Sequence, residues 1–210
     1  MPNSKNNQLS KNKKKSLLPH GFKAKAERIS EGYRKYLALN KNEPLPSQLL
    51  TNFLKVHVKE LESVESISPE IINDLLDGFE SSFSAVTIYC TSNNRYMIVH
   101  NHTHSSARRE SNIMHECAHI ILEHKMEEFD NTNGFNLRKY NEVQEEEAKY
   151  LGHCLQLPKS ALTQYYVYEK KSREEIAEQF NASMPVVNYR IRICGMENFK
   201  KFIDKRSNNL

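Results

Sequence analysis

Apolar residues between positions 107 and 125 recur at helical spacing and form a broad band. This pattern predicts one largely buried helix from Ala107 to about Lys125. Two β-like runs precede it, Ser84–Cys90 and Arg95–His100, and the turn-forming segment Thr-Ser-Asn-Asn joins them. The band of the helix consists of Ile113, Met114, Cys117, Ala118, Ile121 and Leu122. The sequence therefore predicts a β-hairpin that leads into a buried helix.

A second helix is predicted over residues 141–158, where proline ends it. Ala148, Leu151, Gly152 and Leu155 make one stripe along this helix. Small residues at 148 and 152 would let a neighbouring helix approach closely. Carried back by one turn, the stripe passes through residues 144 and 145.

Composition and charge indicate an intracellular protein of 210 residues with one core. Four scattered cysteines without a CxxC pair are typical of free thiols in a reducing cytosol, so we expect a cytoplasmic protein. No apolar run reaches the roughly 20 residues that cross a bilayer. Although the net charge is +4, residues 1–25 hold seven lysines and no acid, so the rest is mildly acidic. This start predicts a disordered lysine-rich tail over residues 1–20.

The candidate chemistry lies at His115-Glu116-Cys117-Ala118-His119, within the first predicted helix. Histidines four residues apart leave the same helix face one turn apart, so both can ligate one tetrahedral metal. Glu116 would then stand where it can deprotonate a water on that metal. The alternative is an amphipathic helix with coincidental histidines. Cys117 faces away from both histidines and is predicted to be a core residue.

A catalytic zinc usually takes a third protein ligand. The small-residue stripe of the second helix turns Glu145 toward the partner helix, which favours Glu145 as this ligand. Glu146 is the alternative if the helix phase differs. The acidic run Glu145–Glu147 is also typical of a solvated helix start near a positive dipole end.

The chain resembles the ImmA/IrrE-type metallopeptidases in two motifs. Arg108 and Arg109 precede the HExxH segment, and residues 145–158 align without a gap to the pattern E-x-x-A-[ND]-x-F-A-x-x-L-L-M-P. The resemblance covers roughly residues 21–195, including an entry helix at Lys23–Leu39. It implies one Zn²⁺ per chain held by His115, His119 and Glu145, with Glu116 as the catalytic base. Several positions depart from the pattern, among them Lys149, Leu151, Gly152 and Gln156.

The expected fold is α+β and zincin-like, with a small sheet, the HExxH helix, the glutamate-bearing helix and a C-terminal pair like a helix-turn-helix. We expect a metallopeptidase core at 21–165, the packed helical pair at 166–200 and a flexible tail at 201–210. The pair begins with a capping box at Ser172–Glu175, and Asn188, Arg190 and Arg192 could face a DNA groove. His100, His102 and His104 alternate, so they could bind a second metal, line the cleft or form a polar loop. His124 is expected at the surface.

The resemblance implies a zinc-dependent endopeptidase whose protein substrate is a helix-turn-helix repressor of a mobile element or a stress regulon. Two alternatives remain, a DNA-binding transcriptional regulator with a structural zinc site and a toxin–antitoxin interaction module. Nucleic acid is not expected as a direct ligand, because the body of the chain is acidic.

Overall fold

The computed structural model describes residues 16–65, 67–76, 83–125, 127–128, 135–137 and 140–207. Helices are interspersed with the strands of one small sheet, so the protein has the predicted α+β architecture. Most of the tail predicted at 1–20 lies outside the described residues. The helices are α1 (Phe22–Tyr36), α2 (Ser47–Leu54), α3 (Pro69–Leu76), α4 (Ser106–Ile121), α5 (Glu142–Gln156), α6 (Lys159–Leu162), α7 (Arg173–Gln179), α8 (Met184–Ile193) and α9 (Met196–Ser207), with a 3₁₀ turn at Leu61–Ser63 and a π-helical turn at Thr163–Tyr168.

The described strands form one sheet in the order β1-β3-β2-β5-β4. The predicted hairpin is confirmed, since β2 and β3 pair antiparallel, with Ala85 opposite His100 and Cys90 opposite Arg95. β1 adds in parallel to β3, and β5 pairs with the Tyr89–Cys90 end of β2. The bounds are β1 (His57–Glu60), β2 (Ala85–Cys90), β3 (Arg95–His100), β4 (Glu127–Glu128) and β5 (Phe135–Leu137).

α4 and α5 pack together along the predicted small-residue stripe. Ala148 and Gly152 are both buried. A Cβ added at Gly152 would lie 3.0 Å from Cα of His115, 3.1 Å from its backbone nitrogen and 3.1 Å from the carbonyl oxygen of Met114. The backbone of α4 therefore occupies the space that any larger side chain would need. Because the contact falls at His115 itself, it fixes the distance between the two helices at the candidate site.

Buried polar side chains connect other elements to the C-terminal end of α5. Arg34 of α1, which is fully buried, donates to the carbonyl oxygens of Leu155 and Glu43 at 2.8 Å each. Gln156 accepts a hydrogen bond from Ser111 at 2.8 Å and donates to the carbonyl oxygen of Asn181 at 2.8 Å. Gln156 replaces a leucine of the family pattern, and its amide joins α4 to the turn after α7.

The C-terminal helical pair consists of α7 and α8, and the capping box at Ser172 and Glu175 is present. Arg190 corrects one prediction, because it is fully buried instead of open to a groove. It donates to the carbonyl oxygen of Leu157 at 2.8 Å and to Glu27 of α1 at 2.6 Å. Arg192 is exposed, as expected. Arg190, which was expected to face a DNA groove, therefore holds the helical pair against the core.

The last helix, α9, runs from Met196 to Ser207, so the boundary predicted at residue 200 falls inside it. Phe199 and Ile203 of this helix pack against an apolar cluster formed by α6, α7 and α8. Their spacing of four residues places both on one face, which explains why the helix continues. Residues 208–210 lie outside the described residues.

Gly152→Ala should destabilise the protein despite the higher helix propensity of alanine. Alanine gains about 1 kcal/mol in a helix interior, whereas overpacking against backbone atoms costs about 1–3 kcal/mol. We expect a net loss of about 1 kcal/mol, measured by urea denaturation. Gly32→Ala in α1 is the matched control, since no atom lies within 4 Å of its added Cβ. It should stabilise by about 0.5–1 kcal/mol. A stabilised Gly152→Ala variant would contradict the close approach.

Candidate metal centre

Three side chains from α4 and α5 converge at one point. Nε2 of His119 lies 3.0 Å from Nε2 of His115, which lies 3.1 Å from Oε2 of Glu145. Nε2 of His119 also lies 3.5 Å from Oε1 of Glu145. Within the described part of the chain, these residues form the one histidine, cysteine or carboxylate group with the spacing of metal ligands. The structure therefore brings together the three residues that the sequence predicted as ligands.

The two Nε2 atoms and the two carboxylate oxygens have the spacing that the ligands of a tetrahedral zinc would require. Zinc lies about 2.0–2.1 Å from nitrogen and oxygen ligands, so two corners of its tetrahedron are about 3.3–3.4 Å apart. The observed separations of 3.0, 3.1 and 3.5 Å bracket this value. Two imidazoles and one carboxylate are also a common donor set of catalytic zinc sites. The residues present thus fit a zinc ion.

Because Glu145 and Glu146 follow one another in a helix, their side chains point in different directions. The imidazoles of His115 and His119, whose Nε2 atoms lie 3.1 and 3.5 Å from its oxygens, hold the pKa of the Glu145 carboxyl well below its usual range. Glu146 points elsewhere, with its carboxylate 3.6 Å from the ammonium group of Lys149 and 40% of its side chain exposed. The structure therefore places Glu145 at the cluster and Glu146 at the surface.

Glu116 is buried next to the cluster and is bound by the sheet. Its Oε2 accepts a hydrogen bond of 2.6 Å from the hydroxyl of Thr87 in β2. Both residues are almost fully buried, with 4% and 1% of their surface exposed. Sequence reasoning missed Thr87, although a threonine within the apolar run Val86–Ile88 was a signal that this position faces a polar group. The hydroxyl fixes the rotation of the Glu116 carboxylate.

A cleft of about 320 Å³ opens beside the cluster. His115, Glu116 and Glu145 line this cleft, so two candidate ligands and the candidate base reach the same space. Its other lining residues come from the start of β2, from α4 and from the segment before α5, and the sequence did not single them out. They are Ser84, Ala85, Asn112 and Tyr140.

His124 was predicted at the surface, and the structure corrects this prediction. α4 ends at Ile121, and Glu123 takes a left-handed conformation with φ of 53°. The amides of Glu123 and His124 bond back to the carbonyl oxygens of Ile120 and His119, at 3.1 Å each, as in a Schellman motif. This turn brings the side chain of His124, 6% exposed, back under His119. The prediction failed because it continued the helix to Lys125.

The remaining histidines do not form a second metal site among the described residues. His104 lies between the side-chain amides of Asn101 and Asn112, and burial lowers its pKa. His102 lies 3.6 Å from Glu62. His153 packs its ring against Tyr189, and burial lowers its pKa to about 3.

Cys117 is fully buried, as predicted for a core residue. Burial raises the pKa of its thiol well above the usual range, which keeps it in the thiol form and unsuited to bind a metal.

Residues 78–192, more than half of the chain, match the family described as the IrrE N-terminal-like domain, Peptidase_M78. The chain belongs to this family, which confirms the resemblance to the ImmA/IrrE-type metallopeptidases and the zincin-like fold class. A peptidase family together with a cluster that fits a metal supports a function of the metallopeptidase type. No curated protein was found to match the chain. Within the described ranges, no helix is long and apolar enough to cross a bilayer.

Purified protein should retain about one zinc per chain, measured by elemental analysis after dialysis. His115→Ala or His119→Ala should abolish this retention, because two remaining ligands hold zinc poorly. Glu145→Ala should reduce it strongly, whereas Glu146→Ala, a matched control one residue away, should leave it unchanged. If Glu146→Ala loses the metal instead, Glu145 is not the third ligand.

Proposed function

We propose that this protein is a zinc-dependent endopeptidase. The observation that carries the proposal is the position of Glu116, a buried carboxylate in the same cleft as the cluster of His115, His119 and Glu145. Zinc is the metal of choice because two imidazoles and a carboxylate that leave one position open make a catalytic zinc site. When bound, zinc would supply Lewis acidity toward a peptide carbonyl and toward water.

Glu116 acts as the proton carrier of the reaction. Its carboxylate takes a proton from the water that attacks the peptide carbonyl carbon. The C–N bond then breaks, and Glu116 delivers this proton to the leaving amine nitrogen, so that the carboxylate is regenerated. The 2.6 Å hydrogen bond that Thr87 donates to Oε2 restricts the rotation of this carboxylate. His115, His119 and Glu145 would hold the metal.

The substrate that we propose is a helix-turn-helix repressor of a mobile element or a stress regulon, as the family resemblance implies. Glu116, Glu145 and the partly exposed His115 and Asn112 form a polar wall that suits an extended peptide backbone. The four cysteines are all free thiols, which agrees with proteolysis in a reducing cytosol.

The alternative of a DNA-binding regulator is less well supported. A recognition helix needs side chains that reach base edges, yet Arg190 of α8 is bound to Glu27 and the carbonyl of Leu157. Asn188 is hydrogen-bonded to Arg173. Of the three groove candidates, Asn188 and Arg192 are exposed, and Asn188 is already engaged by Arg173.

Glu116→Gln separates the peptidase from a regulator with a structural metal. The variant keeps size and hydrogen bonding but removes the base, so it should retain zinc and melting temperature while cleavage falls at least a hundredfold. Cleavage is measured by co-expression with repressors encoded beside the gene, with immunoblotting of the repressor.

Two controls complete this experiment. Glu146→Gln removes an exposed carboxylate and should cleave normally. Arg192→Ala should also cleave normally, whereas a DNA-binding regulator would require Arg192 and show salt-dependent duplex binding. Full cleavage by Glu116→Gln would end the proposal of a proteolytic function.

A further inference from the structure

The geometry points to a positioning role for His124 and Glu147. We propose that these two residues form an outer relay that sets the tautomer and orientation of His119, so that its Nε2 lone pair faces the metal. Neither residue lies in the HExxH motif. The inference rests on the proposed zinc site and adds residues that act on zinc through His119.

The relay is a continuous line of short contacts behind His119. Nδ1 of His119, the nitrogen opposite the cluster, lies 2.8 Å from Nδ1 of His124. Nε2 of His124 lies 3.2 Å from Oε2 of Glu147. The exposed side-chain fractions are 1%, 6% and 17% for His119, His124 and Glu147. Such buried polar groups stay in place because they satisfy one another.

The carboxylate determines which nitrogen carries each proton. A neutral imidazole has one N–H and one lone pair, whereas a carboxylate can only accept hydrogen bonds. Nε2 of His124 therefore donates to Glu147, which leaves the lone pair on Nδ1 of His124. That lone pair accepts the Nδ1–H of His119. Nε2 of His119 must then carry the lone pair, 3.0 Å from Nε2 of His115 and 3.5 Å from Glu145.

This arrangement provides what a histidine ligand needs from its surroundings. A ligating imidazole commonly donates its other N–H to an acceptor, which orients the ring and raises its basicity. Here the acceptor is the imidazole of His124. Its hydrogen bond to the negatively charged Glu147 makes it a stronger acceptor for His119. The rings of His119 and His124 meet at 72° with centroids 4.8 Å apart, so the second ring also supports the first sterically.

The turn after α4 makes the relay possible. Left-handed backbone at Glu123 reverses the chain within two residues and carries His124 back toward His119. Glu147 comes from α5, two residues after the candidate ligand Glu145. The acidic run thus supplies three different groups: Glu145 at the metal cluster, Glu146 at the surface and Glu147 behind His119.

The test measures zinc affinity by competition with a chromogenic chelator, using the full-length protein. His124→Phe and Glu147→Leu should each weaken zinc binding about tenfold to a hundredfold, the usual effect of losing such a partner. Glu146→Leu, the matched control on the same helix, should change it less than twofold. Glu147→Gln keeps an acceptor oxygen without the charge and should fall between the wild type and Glu147→Leu.

A double-mutant cycle distinguishes a relay from independent effects. Because Glu147 acts only through His124, the double variant His124→Phe, Glu147→Leu should bind zinc as weakly as His124→Phe alone. In the zinc-loaded wild type, the Nδ1–H proton of His119 should give a downfield NMR signal, and this signal should move upfield in both single variants.

The outcomes also separate this inference from the proposed zinc site. A wild-type protein that binds no zinc would contradict the site itself. If the wild type binds zinc but both variants bind it equally well, or if their effects add fully while the Nδ1–H signal stays in place, the relay is wrong. A lower melting temperature with unchanged zinc affinity would likewise reduce His124 and Glu147 to packing residues.

Discussion

The contact between α4 and α5 at Gly152 is the constraint on which the candidate site depends. The two histidines belong to α4 and Glu145 belongs to α5, so the carboxylate lies 3.1 and 3.5 Å from their Nε2 atoms only if the helices lie at one separation. Backbone atoms of Met114 and His115 lie 3.0–3.1 Å from the position that a Cβ of residue 152 would take. Gly152 stands where the family pattern has alanine. The missing Cβ lets α5 approach α4 closely at His115, one turn of α4 before His119.

Much of the site could be predicted, because the positions of its residues follow from short and regular spacings in the sequence. The spacing of His115 and His119, the hairpin before α4 and the phase of Glu145 all follow from strand and helix repeats of two and 3.6 residues. The same periodicity failed at His124, where a non-glycine residue at the left-handed position ended the helix without the usual signal.

Contacts between residues that are far apart in the chain could not be predicted from the sequence. Arg190 looked like a surface residue of a helix-turn-helix because its partner, Glu27, lies 163 residues away in the chain. Thr87 looked like an ordinary strand residue because Glu116 lies 29 residues further on. Neither contact leaves a periodic trace, so only the folded arrangement reveals which polar residues are structural.

The ion pair between Arg190 and Glu27 has a consequence for how the protein is made. The match to the family ends at residue 192 and begins at residue 78, yet α1 supplies Glu27, Arg34 and apolar residues of the same core. During synthesis, α1 leaves the ribosome before α8 does. The carboxylate of Glu27 can therefore pair with Arg190 only after α8 has followed. Contacts of such sequence separation slow folding, because much of the chain must be ordered before they form. This part of the core can therefore close only after α8 has left the ribosome.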